Sequence, residues 1–233
     1  MNSSANNQTI AGNMTNKSLS VFITGHFGAG KRTIVRMAKH GKIADILPTI
    51  GVDFEKLSIN ETPLLIWSLG GRSRYRPITM SYYKRMLAYI FVVDSSNPST
   101  MDHARAILHD IIADDRLENK PILIFANKQD LPDAMSVDQL REELHLDKVG
   151  KSIKWHLQPT SATQNLGLQE GFEWLINSIS KQKNQTNPIV ETVNDAITMK
   201  NDFISLFNIT KLTADIWRII SLSFTLIGYV FKH

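Results

Sequence analysis

The chain has 233 residues, 26 Lys+Arg against 22 Asp+Glu, and a formal net charge of +4, with 42% hydrophobic and 21% charged residues. That length suits one domain with appendages, and that composition suits a packed core rather than a disordered chain. So small a charge excess, spread along the chain, gives too weak a field to argue for nucleic acid, which usually meets a concentrated basic face. The absence of cysteine excludes disulfides, thiolate metal sites, a cysteine nucleophile, S-acylation and prenylation, and suits a reducing compartment.

The first eighteen residues read as a polar arm, without the basic start and apolar run of a signal peptide, and Asn2 excludes N-myristoylation. From Leu19 onward, short β-rich apolar runs alternate with stretches of helical spacing, the pattern of a mostly parallel sheet flanked by helices in an α/β fold. Strands are predicted over residues 19–24, 52–59, 63–69, 89–94, 121–126 and 154–158, six in all, with the second and third forming a hairpin about Asn60-Glu61. Helices are predicted to begin at Lys31, near Arg74, after Ser99, after Ser136 and after Gly167. Residues 181–188, KQKNQTNP, carry no core-forming side chain and end in a helix breaker. They divide a domain of residues 19–183 from a C-terminal extension, 184–233, with the spacing of a helical tail.

The segment Gly25-His26-Phe27-Gly28-Ala29-Gly30-Lys31 follows a strand and opens a helix, the context of a phosphate-binding loop. Its glycines let the backbone wrap closely, its amides and the helix N-terminus bind phosphate oxygens, and the Lys31 ammonium neutralises phosphate charge. A second element, Asn127-Lys128-Gln129-Asp130, places a carboxylate that accepts from both the N1–H and the 2-amino group of guanine, a donor pair adenine lacks. Ser161-Ala162-Thr163 stands where a third, base-contacting loop belongs.

With these motifs in this order, residues 19–183 resemble the ADP-ribosylation-factor (Arf) and Arf-like branch of small GTPases. Pro48-Thr49-Ile50-Gly51 is similar to that branch's switch I and Trp67-Ser68-Leu69-Gly70-Gly71-Arg72 to the start of its switch II, while FVVDSSN, FANKQDLPDAM and GFEWL match family phrases. The resemblance implies the P-loop small GTPase fold and GTP or GDP as ligand. The implied nucleotide-binding residues are Gly25, Gly28, Ala29, Gly30, Lys31, Arg32, Thr33, Thr49, Gly71, Asn127, Lys128, Asp130, Ser161 and Ala162. Thr49 is the implied metal-side residue, and Trp67 and Tyr82 are the implied effector surface, an aromatic patch exposed in the triphosphate form. No nucleic acid is expected as a partner.

Three departures bear on activity. Arg32 stands where the family has the Ser or Thr that binds Mg²⁺, Ser68 where it has the switch II Asp, and Arg72 where it has the Gln that orients the attacking water. Arginine only donates, so Arg72 cannot align a water nucleophile, and a neutral serine is a poor ligand for a hard cation. His26 and Phe27 also replace residues usual for the branch. The expectation is therefore a guanine-nucleotide-binding switch or scaffold, of intracellular membrane traffic by resemblance, with weak or absent hydrolysis, Mg²⁺ in question and no confident catalytic residue. The alternatives are an active GTPase completed by a partner, and an adapter without nucleotide. The expected location is cytoplasmic, peripheral on or tail-anchored to a membrane. Residues 219–231, 13 uncharged positions, fall short of the roughly 20 a spanning helix needs, so an interfacial helix or one packed on protein is expected of the tail.

Overall fold

The computed structural model describes residues 18–43, 52–69, 85–114, 120–150 and 152–183, with isolated positions between 197 and 205. The elements run β1 (Leu19–Gly25), α1 (Lys31–His40), β2 (Val52–Ile59), β3 (Thr62–Leu69), β4 (Ala88–Asp94), α2 (Met101–Ile112), β5 (Ile122–Asn127), α3 (Val137–Glu143), β6 (Trp155–Pro159) and α4 (Leu168–Lys183). The six strands form one sheet in the order β2-β3-β1-β4-β5-β6, antiparallel only between β2 and β3. All six predicted strands are present within a residue or two of their expected limits. The helices predicted at Lys31, after Ser136 and after Gly167 begin there, and the one after Ser99 begins at Met101 behind a short 3-10 turn. The helix expected near Arg74, the N-terminal arm and all but a few positions of the tail lie outside the described residues. Among the described residues, no helix is long and apolar enough to cross a membrane.

The apolar runs in β1, β4 and β5 are buried on both faces, as parallel central strands must be when helices cover both sides. On one side α1 (Ile34, Val35, Met37) and α4 (Leu168, Phe172, Leu175, Ile179) pack on Val21, Ile23, Leu64, Ile66, Ile90 and Phe125. On the other, α2 and α3 cover Phe22, Leu65, Trp67, Tyr89, Phe91 and Ile124. The chain turns from β2 to β3 at Asn60 and Glu61, with φ of 45° and 64°, between the paired residues Ile59 and Thr62. Positive φ at both central residues gives the turn whose twist matches the strands it joins. Its tip is tied to α4: the Asn60 side chain donates to Glu173 at 2.7 Å and accepts from Gln169 at 2.8 Å.

This layering also places Trp67, one of the two implied effector residues. Trp67 is 2% exposed, because strand alternation puts it on the same face as Leu65, under α2, with the Phe54 ring 5.3 Å away. It is core here, and its indole N–H is buried without a hydrogen-bond partner among the described residues. Tyr82, its expected companion, lies outside the described residues.

Phe172 is fully buried, with its ring edge-on to Phe125 at 5.5 Å, and joins α4 to the middle of the sheet. Phe172→Ala should lower unfolding free energy by about 3–5 kcal/mol, read as a shift of the urea midpoint at unchanged slope.

Candidate functional site

Strands β1, β4, β5 and β6 lie side by side and parallel, so the loops after their C-terminal ends gather at one edge of the sheet. The phosphate-type loop leaves β1, Asp94 ends β4, the Asn127–Asp130 segment leaves β5 and the Ser161–Thr163 segment leaves β6. The fold therefore collects residues far apart in sequence without any further device.

Backbone conformation shapes the first loop. Gly25 has φ of 136° and lies so close to β4 that a Cβ there would meet the Val92 carbonyl oxygen at 2.2 Å. Gly30, just before α1, has φ of 95°, and a Cβ would strike the Asn127 side-chain nitrogen at 2.3 Å. Both positions need glycine for sterics and conformation together. Ala29 is buried, while Phe27 projects from the loop at 70% exposure. His26 sits edge-on to His103 of α2, ring centroids 5.1 Å apart.

Lys31 begins α1 and turns back beneath the loop, where its ammonium donates to the carbonyl oxygens of Gly25 at 2.8 Å and His26 at 2.7 Å. Burial pushes its pKa down to about 8.

The three loops are one unit because of Asn127. Its buried carboxamide donates to the Ala29 carbonyl at 2.8 Å and accepts from the Ala162 amide at 3.0 Å. Lys128, with φ of 70°, aims its ammonium at Asp94, 2.5 Å away. Burial would raise the Asp94 carboxyl, but hydrogen bonds from Lys128 and from Ser96 hold it below its ordinary value. The Gln129 amide donates to the Thr160 carbonyl at 3.0 Å, so the β5 and β6 loops are also joined through the backbone.

Asp130 stands exposed at the end of this assembly. The hydroxyls of Ser161 and Thr163 lower its pKa and keep it ionised, the Thr163 hydroxyl at 3.1 Å from its carboxylate. An ionised, accessible carboxylate on a rigid loop is an acceptor for two parallel N–H donors.

The metal side is built differently. Arg32 extends from the first turn of α1 to Asp53 of β2, Nη2 to Oδ2 3.1 Å, with both side chains roughly a quarter exposed. Thr33 follows Arg32 and is half-buried. Asp53 is the cross-strand partner of Ser68, so the carboxylate that Ser68 lacks is present one strand over, on the same sheet face. Further along the same two elements, Glu55 pairs with Lys39 at 2.5 Å and with Arg36 at 3.6 Å. A donor set of a guanidinium already engaged by its own carboxylate, beside a neutral serine, does not fit Mg²⁺. Thr49, Gly71 and Arg72 lie outside the described residues.

Among the described positions, Gly25, Gly28, Ala29, Gly30, Lys31, Asn127, Lys128, Asp130, Ser161 and Ala162 are thus placed in adjoining loops, while the Arg32 guanidinium turns to β2. Sequence reasoning missed Asp53 and Asp94. Asp53 was signalled by its alternation with Glu55, Leu57 and Ile59 on the β2 face toward α1, opposite basic residues spaced four and three apart at 32, 36 and 39.

The comparisons with known proteins agree with this geometry. The sequence model of the ADP-ribosylation factor family matches residues 7–179. "ADP-ribosylation factor J" of Dictyostelium discoideum is 35% identical over 166 residues, which are 71% of this chain and 88% of that protein. The Arl6 BBS3 small GTPase of Trypanosoma brucei, whose structure was solved with the bound nucleotide analogue GppNp, superposes with a TM-score of 0.65 at 26% identity, covering 71% of this chain and 99% of that one. With its six-stranded sheet, its phosphate-type loop and a family match over most of its length, the chain belongs to the ADP-ribosylation factor family of small GTPases.

Proposed function

We propose that this protein is a guanine-nucleotide-binding switch or scaffold, with intrinsic hydrolysis weak or absent. The observation that carries the reading is the Asn127 bridge, which joins a phosphate-type cradle to the two loops that would meet a base. Such a connection has no use in a mere strand-to-helix turn. Lys31 and the loop amides would hold the phosphates, Asp130 would read the guanine edge, and the Ala162 loop would complete the base pocket.

The reading of weak hydrolysis rests on what replaces the metal and water ligands. Arg32 and Ser68 offer Mg²⁺ neither a hydroxyl on the helix nor a charged switch II oxygen, and Arg72 has no lone pair with which to orient a water. Affinity would then depend on cations of the protein itself. Family membership supports a role in intracellular membrane traffic as part of this reading. Membrane contact through residues 184–233 is the matching proposal for location, supported by the apolar run near the C-terminus.

Titration with fluorescent GDP, GTP and ATP tests the ligand. GDP and GTP should bind and ATP should not, EDTA should leave the affinity within about twofold, and Asp130→Asn should weaken GTP by about 10- to 100-fold and erase most of the preference over ATP. A single-turnover assay with bound GTP should show no release of phosphate above the uncatalysed rate. No binding of either guanine nucleotide at millimolar concentration would sink the reading.

The Lys31 ammonium gives a pH signature. Its charge is complete below its free-state value of about 8 and is lost above it, so GDP affinity should be flat near pH 7 and fall as pH rises through 8, by at most about tenfold per unit. The phosphates raise the pKa in the complex, which is why the slope begins at the free-protein value. Lys31→Gln should bind weakly throughout and without that slope.

Sedimentation with vesicles tests the tail. The full chain should pellet with liposomes containing anionic lipid, and a chain ending at Lys183 should stay in the supernatant.

A further inference from the structure

We propose that Arg32 is a cation shared between Asp53 and the phosphates of the bound nucleotide, so that Asp53 sets how tightly the site holds a triphosphate. The proposal rests on the nucleotide-binding reading above and deepens it by assigning the control of affinity to a residue of β2.

Arg32 is the residue after Lys31, on the first turn of α1, at the mouth of the loop where phosphate charge would accumulate. Its guanidinium is held by Asp53 at 3.1 Å. Arg36 and Lys39 continue along the helix but are met by Glu55, two residues further along the strand. The two carboxylates thus divide the basic row, and Asp53 takes the cation nearest the loop.

This pair is suited to exchange. Its side chains are 26% and 28% exposed, so water and salt screen the attraction and the net gain from it is small. A polyphosphate carries several negative charges and presents planar oxygen pairs to the same fork-shaped donor. Arginine on a long stem can turn from one acceptor to the other without moving the helix. Lys31 is in a comparable position, its ammonium held by the carbonyls of the loop it would leave for an anion.

Two electrostatic accounts of Asp53 are distinguishable. In the first, Asp53 competes for Arg32. In the second, it only repels phosphate through space. If the cation is shared, removing the carboxylate helps only when Arg32 is present. If repulsion is all, it helps equally in both backgrounds.

The experiment is a double-mutant cycle on the full chain, read as the affinity for a fluorescent non-hydrolysable GTP analogue. Wild type, Asp53→Asn, Arg32→Gln and the double variant are compared, with melting temperatures confirming that each is folded and Asp53→Ser replacing Asp53→Asn should the latter misfold. Asp53→Asn should tighten binding by about fivefold, Arg32→Gln should weaken it, and the double variant should match Arg32→Gln. Glu55→Gln, which removes a carboxylate that Arg32 does not use, should stay within about twofold of wild type. Raising salt from about 0.05 to 0.5 M should narrow the gap between wild type and Asp53→Asn.

A gain that persists in the Arg32→Gln background, or a gain of the same size from Glu55→Gln, overturns sharing in favour of repulsion. Binding by wild type with no gain in Asp53→Asn overturns sharing and leaves nucleotide binding standing. Absence of nucleotide binding in both wild type and Asp53→Asn overturns the two together.

Discussion

The Asn127 carboxamide is the interaction on which the site depends. It is almost wholly buried, and a buried amide must find partners for both ends or carry a desolvation penalty of about 1–3 kcal/mol for each group left unmade. Here the nitrogen is satisfied by the Ala29 carbonyl and the oxygen by the Ala162 amide, so folding β5 fixes the positions of two other loops. The glycine at position 30 belongs to the same arrangement, since any side chain there would occupy the space of the Asn127 nitrogen. Phosphate loop, base loop and third loop are therefore fixed together.

Around this rigid half, the structure distributes charge in an unusual way for a phosphate site. Lys31 is folded onto its own loop, Lys128 faces Asp94, and Arg32 faces Asp53. Each of these cations already has an oxygen partner in the protein. Burial lowers the Lys31 ammonium to about 8, so it is still mostly charged near neutrality, and its protons go to the carbonyls of Gly25 and His26. The site is preorganised in position, and each of these positive groups is held by oxygen atoms of the protein.

Much of the fold was legible in the sequence, for identifiable reasons. Parallel central strands buried on both faces read as unbroken apolar runs, and those at 89–94 and 121–126 could be placed from that alone. The hairpin could be read because Asn60-Glu61 interrupts two β-rich runs, and the capping box at Ser136–Gln139 marks its helix without tertiary context. The base-reading loops were legible as motifs whose chemistry depends on residues adjacent in sequence. What escaped was what depends on contacts between distant residues. Asp53 matters through Arg32, 21 positions away, and Asp94 through Lys128, 34 positions away; the first shows only as two charge patterns that a fold must bring together, and the second leaves no local trace. The burial of Trp67 was legible too, since the alternation of β3 alone puts it beside Leu65 on the covered face.

The replacements at 32 and 68 make better sense as a pair of strand and helix than as two separate losses. A divalent cation in such a site would link the start of α1 to the strands beside it through oxygen ligands on both. Arg32 and Asp53 make the same link with one guanidinium and one carboxylate, and Asp53 lies directly across from Ser68 on the same face. An arginine in this link stays with the helix whatever ligand comes or goes. The ladder that continues through Arg36, Lys39 and Glu55 then ties the edge strand β2 to α1 whether or not a ligand is present. At its far end the hairpin is tied to α4 through Asn60. Displacing β2 along the sheet would require breaking contacts at both ends, so any conformational response of this strand must begin where the links are most exposed to solvent and to competing anions. Of the ion pairs along α1, Arg32–Asp53 and Lys39–Glu55 are about equally exposed, and only the former lies beside the phosphate loop.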